Sequence, residues 1–137
     1  MAHPFPSEGW LAEFEKVLNT DERYARVAAN WEGDFMFVIE PDQGSTEAPL
    51  QYYMDLWHGK CRRSFVVGLD DKNPPKPAFT LRATRSQFLR VMKGDLDPMQ
   101  AMLTRRLRVE GNMTYILRNV PTVLDFVRCA KSVEIAG

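Results

Sequence analysis

The sequence predicts a single α+β domain, with a five-stranded, largely antiparallel sheet covered on one face by about five helices. Two observations favour this class. Apolar residues recur at helical spacing over the first 33 positions, then alternate at strand spacing between residues 34 and 83, and helical spacing returns after residue 84. Strands and helices therefore occur in blocks, and no linker or repeat divides the 137 residues. We expect one domain over residues 1–137, with residues 1–8 as a flexible terminus.

Two helices open the chain. Ser7 can cap the first helix, whose apolar residues at helical spacing are Trp10, Leu11, Phe14, Val17 and Leu18. Residues 19–21, Asn-Thr-Asp, break this helix and can cap a second one, whose apolar face comprises Tyr24, Val27, Ala28 and Trp31. We expect Gly33 to end that helix in the left-handed conformation.

Four strands follow, at residues 34–40, 50–57, 61–69 and 78–83. A turn at residues 58–60 joins the second strand to the third. The loops at residues 41–49 and 70–77 are rich in Pro, Gly and Asp, which favour turns.

Further caps mark the C-terminal part. Thr84 and Gln87 have the spacing of a capping box, in which each side chain bonds the other residue's backbone N–H, and Gly94 can end this third helix. Asp97 and Pro98 predict the start of a short fourth helix, with inward residues Met99, Met102 and Leu103. Residues 106–110 alternate as a fifth strand, and the last of two closing helices begins at Pro121 and buries Val123, Phe126, Val127 and Ala130.

The charge balance excludes several classes of protein. There are 18 basic and 18 acidic residues, so no overall field favours nucleic acid. Residues 1–50 hold 3 basic and 10 acidic side chains, and the basic excess of the remainder could meet an anionic head group or an anionic membrane surface. No apolar run reaches the roughly 18 residues of a membrane span. The sequence shows no targeting signal, which predicts a cytoplasmic protein.

Catalytic and metal-binding patterns are absent from the sequence. Cys61 and Cys129 are far apart and are expected to be reduced, buried thiols, and neither histidine has a ligand partner nearby. The closest carboxylate pair, Asp95 and Asp97, could hold Mg²⁺ but is better explained as the charged start of a helix. We therefore expect no catalysis, no cofactor and no metal, with a metal-dependent enzyme as the weaker alternative.

Methionine is concentrated between residues 92 and 113, which contain Met92, Met99, Met102 and Met113, four of the seven in the chain. Methionine adapts its shape to irregular apolar partners, so this stretch could line a pocket for a pliable ligand. Composition equally allows ordinary core packing, and periodicity does not separate the two.

Residues 87–113, QFLRVMKGDLDPMQAMLTRRLRVEGNM, combine a Phe-Leu pair, a helix-ending Gly, an Asp-Pro helix start and a strand that closes on Gly-Asn-Met. In order and spacing this stretch resembles the signature of the sterol carrier protein type 2 family. The matching residues are Phe88, Leu89, Met92, Gly94, Asp97, Pro98, Ala101, Leu107, Val109, Gly111, Asn112 and Met113. A weaker similarity covers residues 51–68. At positions 105 and 106 the sequence departs from the family's usual Gly-Lys and has two arginines.

The resemblance implies a non-catalytic carrier that holds fatty acid, fatty acyl-CoA, phospholipid or sterol in an apolar tunnel between sheet and helices. By matching position the tunnel would be lined by Phe79, Leu81, Phe88, Met92, Met99, Met102, Leu103, Met113, Ile116, Leu117, Phe126 and Val127. The arginines expected at its rim are Arg105, Arg106, Arg108 and Arg118. An accessory or regulatory interaction module of the same fold is the alternative, and the sequence leaves the oligomeric state open.

Overall fold

The computed structural model describes residues 2–136 and shows the predicted α+β class, with six helices and five strands in the predicted order. The helices are α1 (Glu8–Thr20), α2 (Glu22–Val27), α3 (Arg85–Met92), α4 (Pro98–Leu103), α5 (Met113–Arg118) and α6 (Val120–Lys131). The strands are β1 (Phe35–Glu40), β2 (Leu50–Trp57), β3 (Lys60–Val67), β4 (Phe79–Thr84) and β5 (Arg108–Glu110). Within residues 2–136, no helix has both the length and the apolar character required to span a bilayer.

The five strands form one sheet in the order β3-β2-β1-β4-β5. β1 lies at its centre and runs antiparallel to β2 but parallel to β4, with Phe37 opposite Leu81. The other neighbours are antiparallel, so the sheet is mixed. The tight turn before β3 is confirmed, with left-handed φ angles at His58 (48°) and Gly59 (78°).

The central strand is buried on both faces. Phe35, Phe37 and Ile39 point towards the helices and belong to the main core. On the opposite face, Met36 and Val38 form a small second core with residues of β2 and β3. The helix-covered face thus holds the large continuous apolar volume of the domain.

The predicted helix caps are present because they depend only on neighbouring residues. The Ser7 and Asp21 side chains accept hydrogen bonds from the backbone N–H of Trp10 (3.1 Å) and Tyr24 (2.8 Å). Thr84 accepts from Gln87 N–H at 3.3 Å, and Asp97 accepts from the N–H three residues later at 2.9 Å. Gly94 follows α3 with a φ of +83°, as expected.

Three local predictions were wrong. α2 ends at Val27, and Gly33 is not left-handed, because the chain leaves the helix early to bond the sheet through Gly33 N–H and the Leu56 carbonyl (3.3 Å). The Gln87 half of the capping box is missing, since its Oε1 is buried without a hydrogen-bond partner among the described residues. β5 is only three residues long, because Leu107 N–H bonds the Ala101 carbonyl instead of a strand.

The N-terminal segment, residues 3–7, packs on the domain, which differs from the flexible terminus that we expected. The Phe5 side chain is only 4% exposed. His3 pairs with Ile135 as an isolated β-bridge, so both ends of the described chain meet.

Candidate ligand-binding cavity

An apolar cavity of about 100 Å³ lies between the sheet and the helices. Its wall in the described structure presents no polar surface. Binding in such a space depends on burial of apolar surface rather than on directional contacts.

The floor of the cavity is the inner face of the sheet. Phe35, Phe37 and Ile39 of β1 lie along it in sequence, which corresponds to roughly 13 Å at the rise of a β-strand. Neighbouring strands contribute Tyr52, Met54, Leu56 and Leu81. The alternation of these strands places every second residue on this floor.

Helices and connecting segments form the remaining wall. The contributing side chains are Phe5, Trp10, Phe14, Tyr24, Trp31, Phe88, Val91, Met92, Pro98, Met102, Leu107, Ile116, Thr122, Val123, Phe126, Val127 and Ala130. The Phe126 ring of α6 contacts both α1 and the floor, since it lies 4.9 Å from the Phe14 ring and 5.8 Å from the Phe37 ring. Aromatic rings at these distances form a stiff wall, whereas Met54, Met92 and Met102 are the side chains that can change shape.

The structure brings seven of the twelve predicted ligand-binding residues to this wall. They are Leu81, Phe88, Met92, Met102, Ile116, Phe126 and Val127. Phe79, Met99 and Met113 pack on the core outside the wall. The ring of Phe79 is wedged so closely that a Cβ on Gly111 would lie 2.6 Å from it.

Leu103 and Leu117 do not face the cavity. Leu103 is 68% exposed and Leu117 is 50% exposed. α4 turns Pro98, Ala101 and Met102 inward, which leaves Leu103 on the opposite side of the helix, and α5 buries Ile116, so the next residue points outward. The inward placement predicted for both leucines is therefore wrong.

The four predicted rim arginines have different surroundings. Arg105 and Arg106, in the segment between α4 and β5, and Arg118, the last residue of α5, are exposed. Arg108 lies on the outer face of the sheet and forms an ion pair with Glu40, across the sheet from the cavity. Because alternate residues of a strand point to opposite faces, Arg108 is not a rim residue.

Most aromatic residues of the wall come from the first 57 residues and were not among the predicted ligand-binding residues. Two patterns could have indicated them: Trp10 and Phe14 are four residues apart on α1, and Phe35 and Phe37 alternate on β1. Both patterns equally describe ordinary core residues.

The two thiols are buried and unreactive. Burial raises the pKa of Cys61 to about 12 and that of Cys129 to about 11. Both are free, as predicted, and at neutral pH they remain protonated, which makes them poor nucleophiles and poor metal ligands.

Asp21, Asp125 and Cys129 bring possible metal-ligating atoms within 4.8 Å of one another. Their carboxylates are already bound by arginine: Arg128 donates to Asp125 (2.8 Å) and to Asp21 (2.6 Å), and Arg23 lies 3.2 Å from Asp125. Asp125 is only 3% exposed, so these guanidinium groups neutralise a buried charge. The cluster is an ion-pair network that fastens α6 to α2.

The fold and the cavity define an α+β domain that encloses an apolar binding space under its helices. Residues 14–123 match the sequence profile of the SCP-2 sterol transfer family, and the chain belongs to this family. No curated protein sequence matches the chain.

Solved structures show the same fold. A crystal structure of sterol carrier protein 2 is 25% identical, with a TM-score of 0.81 over 93% of this chain and 97% of that one. A conserved hypothetical protein from Thermus thermophilus is 24% identical, with a TM-score of 0.80 over 95% of this chain and 90% of that one. Sterol carrier protein-2 from Aedes aegypti, solved in complex with palmitate, is 19% identical, with a TM-score of 0.52 over 88% of this chain and 92% of that one.

Proposed function

We propose that this protein is a non-catalytic carrier that holds the acyl chain of a fatty acid, fatty acyl-CoA or phospholipid, or a sterol, in the cavity. The observation that carries the proposal is the apolar cavity on the helix-covered side of the sheet. Membership of the SCP-2 sterol transfer family supports it, as does the palmitate complex of the mosquito protein with the same fold.

The driving force is burial of methylene groups, each of which contributes about 0.8 kcal/mol. A chain with a dozen buried methylenes gains on the order of 10 kcal/mol before the costs of association, which makes micromolar affinity attainable. Because this gain is non-directional, chains of similar length should bind with similar affinity.

A long chain needs more room than the cavity offers in this conformation. The cavity measures about 100 Å³, whereas an engineered cavity of about 150 Å³ in another protein accommodates a single benzene. The wall must therefore yield on binding, through rotation of Met54, Met92 and Met102 or through displacement of a covering segment.

A titration with a fluorescent fatty acid tests the carrier function. Emission should shift to that of an apolar environment and saturate with protein. Native mass spectrometry of the purified protein should show a co-purified lipid. The proposal is overturned if emission stays that of the free probe at tens of micromolar protein, the weak end of the expected affinity range.

We also propose that the protein collects its ligand at an anionic membrane through exposed side chains of α4, α5 and α6. Leu103, Leu117 and Leu124 are exposed large apolar side chains on these helices, and α4 and α5 both pack against α6. The exposed Arg105 and Arg106 follow Leu103 by two and three residues, and the exposed Arg118 is adjacent to Leu117. Apolar side chains beside cationic ones suit an anionic lipid surface.

Transfer of a fluorescent lipid between vesicles tests this surface. Transfer from anionic vesicles should slow on addition of salt, because about 0.1 M salt screens charges beyond about 10 Å. Arg106→Gln/Arg118→Gln should slow it further, while Lys72→Gln/Lys76→Gln, which removes the same charge from the loop between β3 and β4, should not. Equal transfer from neutral and anionic vesicles would refute the membrane role and leave the carrier function untouched.

A further inference from the structure

The N-terminal segment contributes a single side chain, that of Phe5, to the cavity wall. The Phe5 ring forms part of the wall, 4.9 Å from the Trp10 ring and 6.3 Å from the Phe88 ring. Phe5 therefore fills the space between the start of α1 and the face of α3.

A guanidinium group lies beside this plug. Arg85, the first residue of α3, is partly buried and donates from Nε to the Phe5 carbonyl oxygen at 2.8 Å. It forms no ion pair within residues 2–136. The Asp42 carboxylate attracts Arg85 electrostatically but forms no ion pair with it, and it accepts from Ser86 N–H at 3.0 Å. A cation hydrogen-bonded to a neutral carbonyl would gain from an anionic acceptor, because charge-assisted hydrogen bonds are stronger.

A second donor next to Phe5 lacks any acceptor. Trp10 is 4% exposed, and in the described chain its indole N–H is buried without a hydrogen-bond partner. A buried unpaired donor is destabilising and rare in folded proteins. Two donor groups thus belong to residues in contact with Phe5: the Arg85 guanidinium is charged and hydrogen-bonded only to a carbonyl, and the Trp10 indole N–H is unpaired among the described residues.

We infer that Arg85 and the Trp10 indole N–H form a head-group site for the anionic oxygens of an acyl ligand, and that Phe5 occupies this site until the ligand displaces it. The inference rests on the proposed carrier function and names the chemistry of its ligand. The carboxylate of a free fatty acid fits two donors of this kind, and a phosphate offers the same anionic oxygens. With the head group at Arg85, the tail would run along β1 from Ile39 towards Phe35.

Few contacts hold the covering segment in place. His3 N–H meets the Glu134 carbonyl at 3.4 Å, and Ala136 N–H bonds the His3 carbonyl at 2.8 Å. Within the segment, Arg85 donates to the Phe5 carbonyl, and the Ser7 hydroxyl donates to the Pro4 carbonyl at 2.5 Å. Ser7 itself is held to the body of the domain, because its carbonyl accepts from the Tyr52 hydroxyl at 2.6 Å and its side chain caps α1. Residues 3–6 can therefore lift while α1 stays in place. When the Phe5 ring leaves the cavity, an acyl chain that buries several methylenes compensates for the apolar contacts that the ring has lost.

Displacement of a bound fluorescent probe by dodecanoate, dodecyl phosphate and 1-dodecanol tests the site. Arg85→Gln should weaken dodecanoate about tenfold, the size expected for a lost charge-assisted hydrogen bond. It should leave dodecanol unchanged within about twofold, because the alcohol carries no charge. Arg90→Gln, on the exposed side of the same helix, should change neither. An equal loss for dodecyl phosphate shows that any anionic oxygen suffices, and a loss for dodecanoate alone identifies the carboxylate.

Two further measurements isolate the covering segment. Phe5→Ala should bind dodecanol several-fold more tightly, because it removes a competitor for the same space. Amide hydrogen exchange at His3 and Ala136 should accelerate when the unmodified protein is saturated with dodecanoate. The inference fails if Arg85→Gln weakens acid and alcohol equally, or if exchange at these amides is unchanged at saturation. If the unmodified protein binds none of the three compounds, the carrier function itself fails.

Discussion

Met102→Glu distinguishes a ligand cavity from a filled core. The Met102 side chain lies on the cavity wall and is half-buried. A carboxylate there keeps a path to water as long as the cavity holds no ligand. An acyl chain would bury the charge, at a cost of several kcal/mol unless the group becomes protonated.

The two effects have different sizes. Loss of the half-buried methionine should cost about 1 kcal/mol of stability, which lowers Tm by roughly 3–5 °C for a chain of this length. Ligand affinity should fall at least about tenfold, since each 1.4 kcal/mol of desolvation is a factor of ten. Affinity should partly recover at acidic pH, because the apolar cavity raises the pKa of the introduced carboxyl.

Leu103→Glu is the matched control, because it introduces the same charge at the next residue, on the exposed side of α4. Its stability should change by less than about 0.5 kcal/mol, and its affinity for a soluble fatty acid should stay that of the unmodified protein. Thermal melting by circular dichroism and fluorescent fatty-acid titration measure the two quantities on the same samples. Met102 would instead be an ordinary core residue if Met102→Glu lowered Tm sharply while the affinity per folded molecule stayed unchanged.

Three further predictions concern stability, measured by urea denaturation. Arg128→Gln should lower the free energy of unfolding by about 2–3 kcal/mol, because the buried Asp125 loses its main partner. Lys131→Gln, on the same helix, should leave it almost unchanged. Equal urea midpoints for the two variants would show that the ion-pair network does not stabilise the fold. Gly111→Ala should lower the free energy of unfolding by about 1–3 kcal/mol. Gly111 has a φ of +131°, and a Cβ at this position would lie 2.7 Å from a backbone carbonyl oxygen. An unchanged stability would contradict this geometry. Hydrogen bonding from Arg128 lowers the pKa of Asp21 below 3.8. The ionised Asp21 therefore stabilises the fold fully above that pH, and this stabilisation is lost as the pH falls through the folded-state pKa. Asp21→Asn should reduce the loss of stability at acidic pH, and an unchanged acid dependence would contradict a stabilising role for Asp21.

Local sequence specified the order of the elements and the starts of four helices, but not the end of α2 or the length of β5. Ser7, Asp21, Thr84 and Asp97 each cap a helix through a backbone N–H three residues away. Such caps need no distant partner, so local sequence specifies them. The strands were equally predictable, because alternation reports which side of a strand is buried.

The cavity wall was only partly predictable. The resemblance to the sterol carrier family identified a stretch that supplies Met92 and Met102, but it also suggested Leu103 and Leu117, which face solvent. Helices as short as α4 and α5 have too few apolar positions to fix which side turns inward. That orientation depends on where α6 and the sheet lie.

The tertiary structure alone decided which distant residues meet. Arg128 bonds Asp21 across 107 positions, and Arg85 bonds the Phe5 carbonyl across 80. The pairing of β1 with β4 brings Phe35, Phe37 and Leu81 together on the floor of the cavity. This pairing is parallel, whereas the other strand pairings of the sheet are antiparallel. The periodicity of apolar residues shows which side of a segment is buried, but it does not show which other segment covers that side. The packing partner depends on the whole chain, because the fold minimises the exposed apolar surface of all segments together.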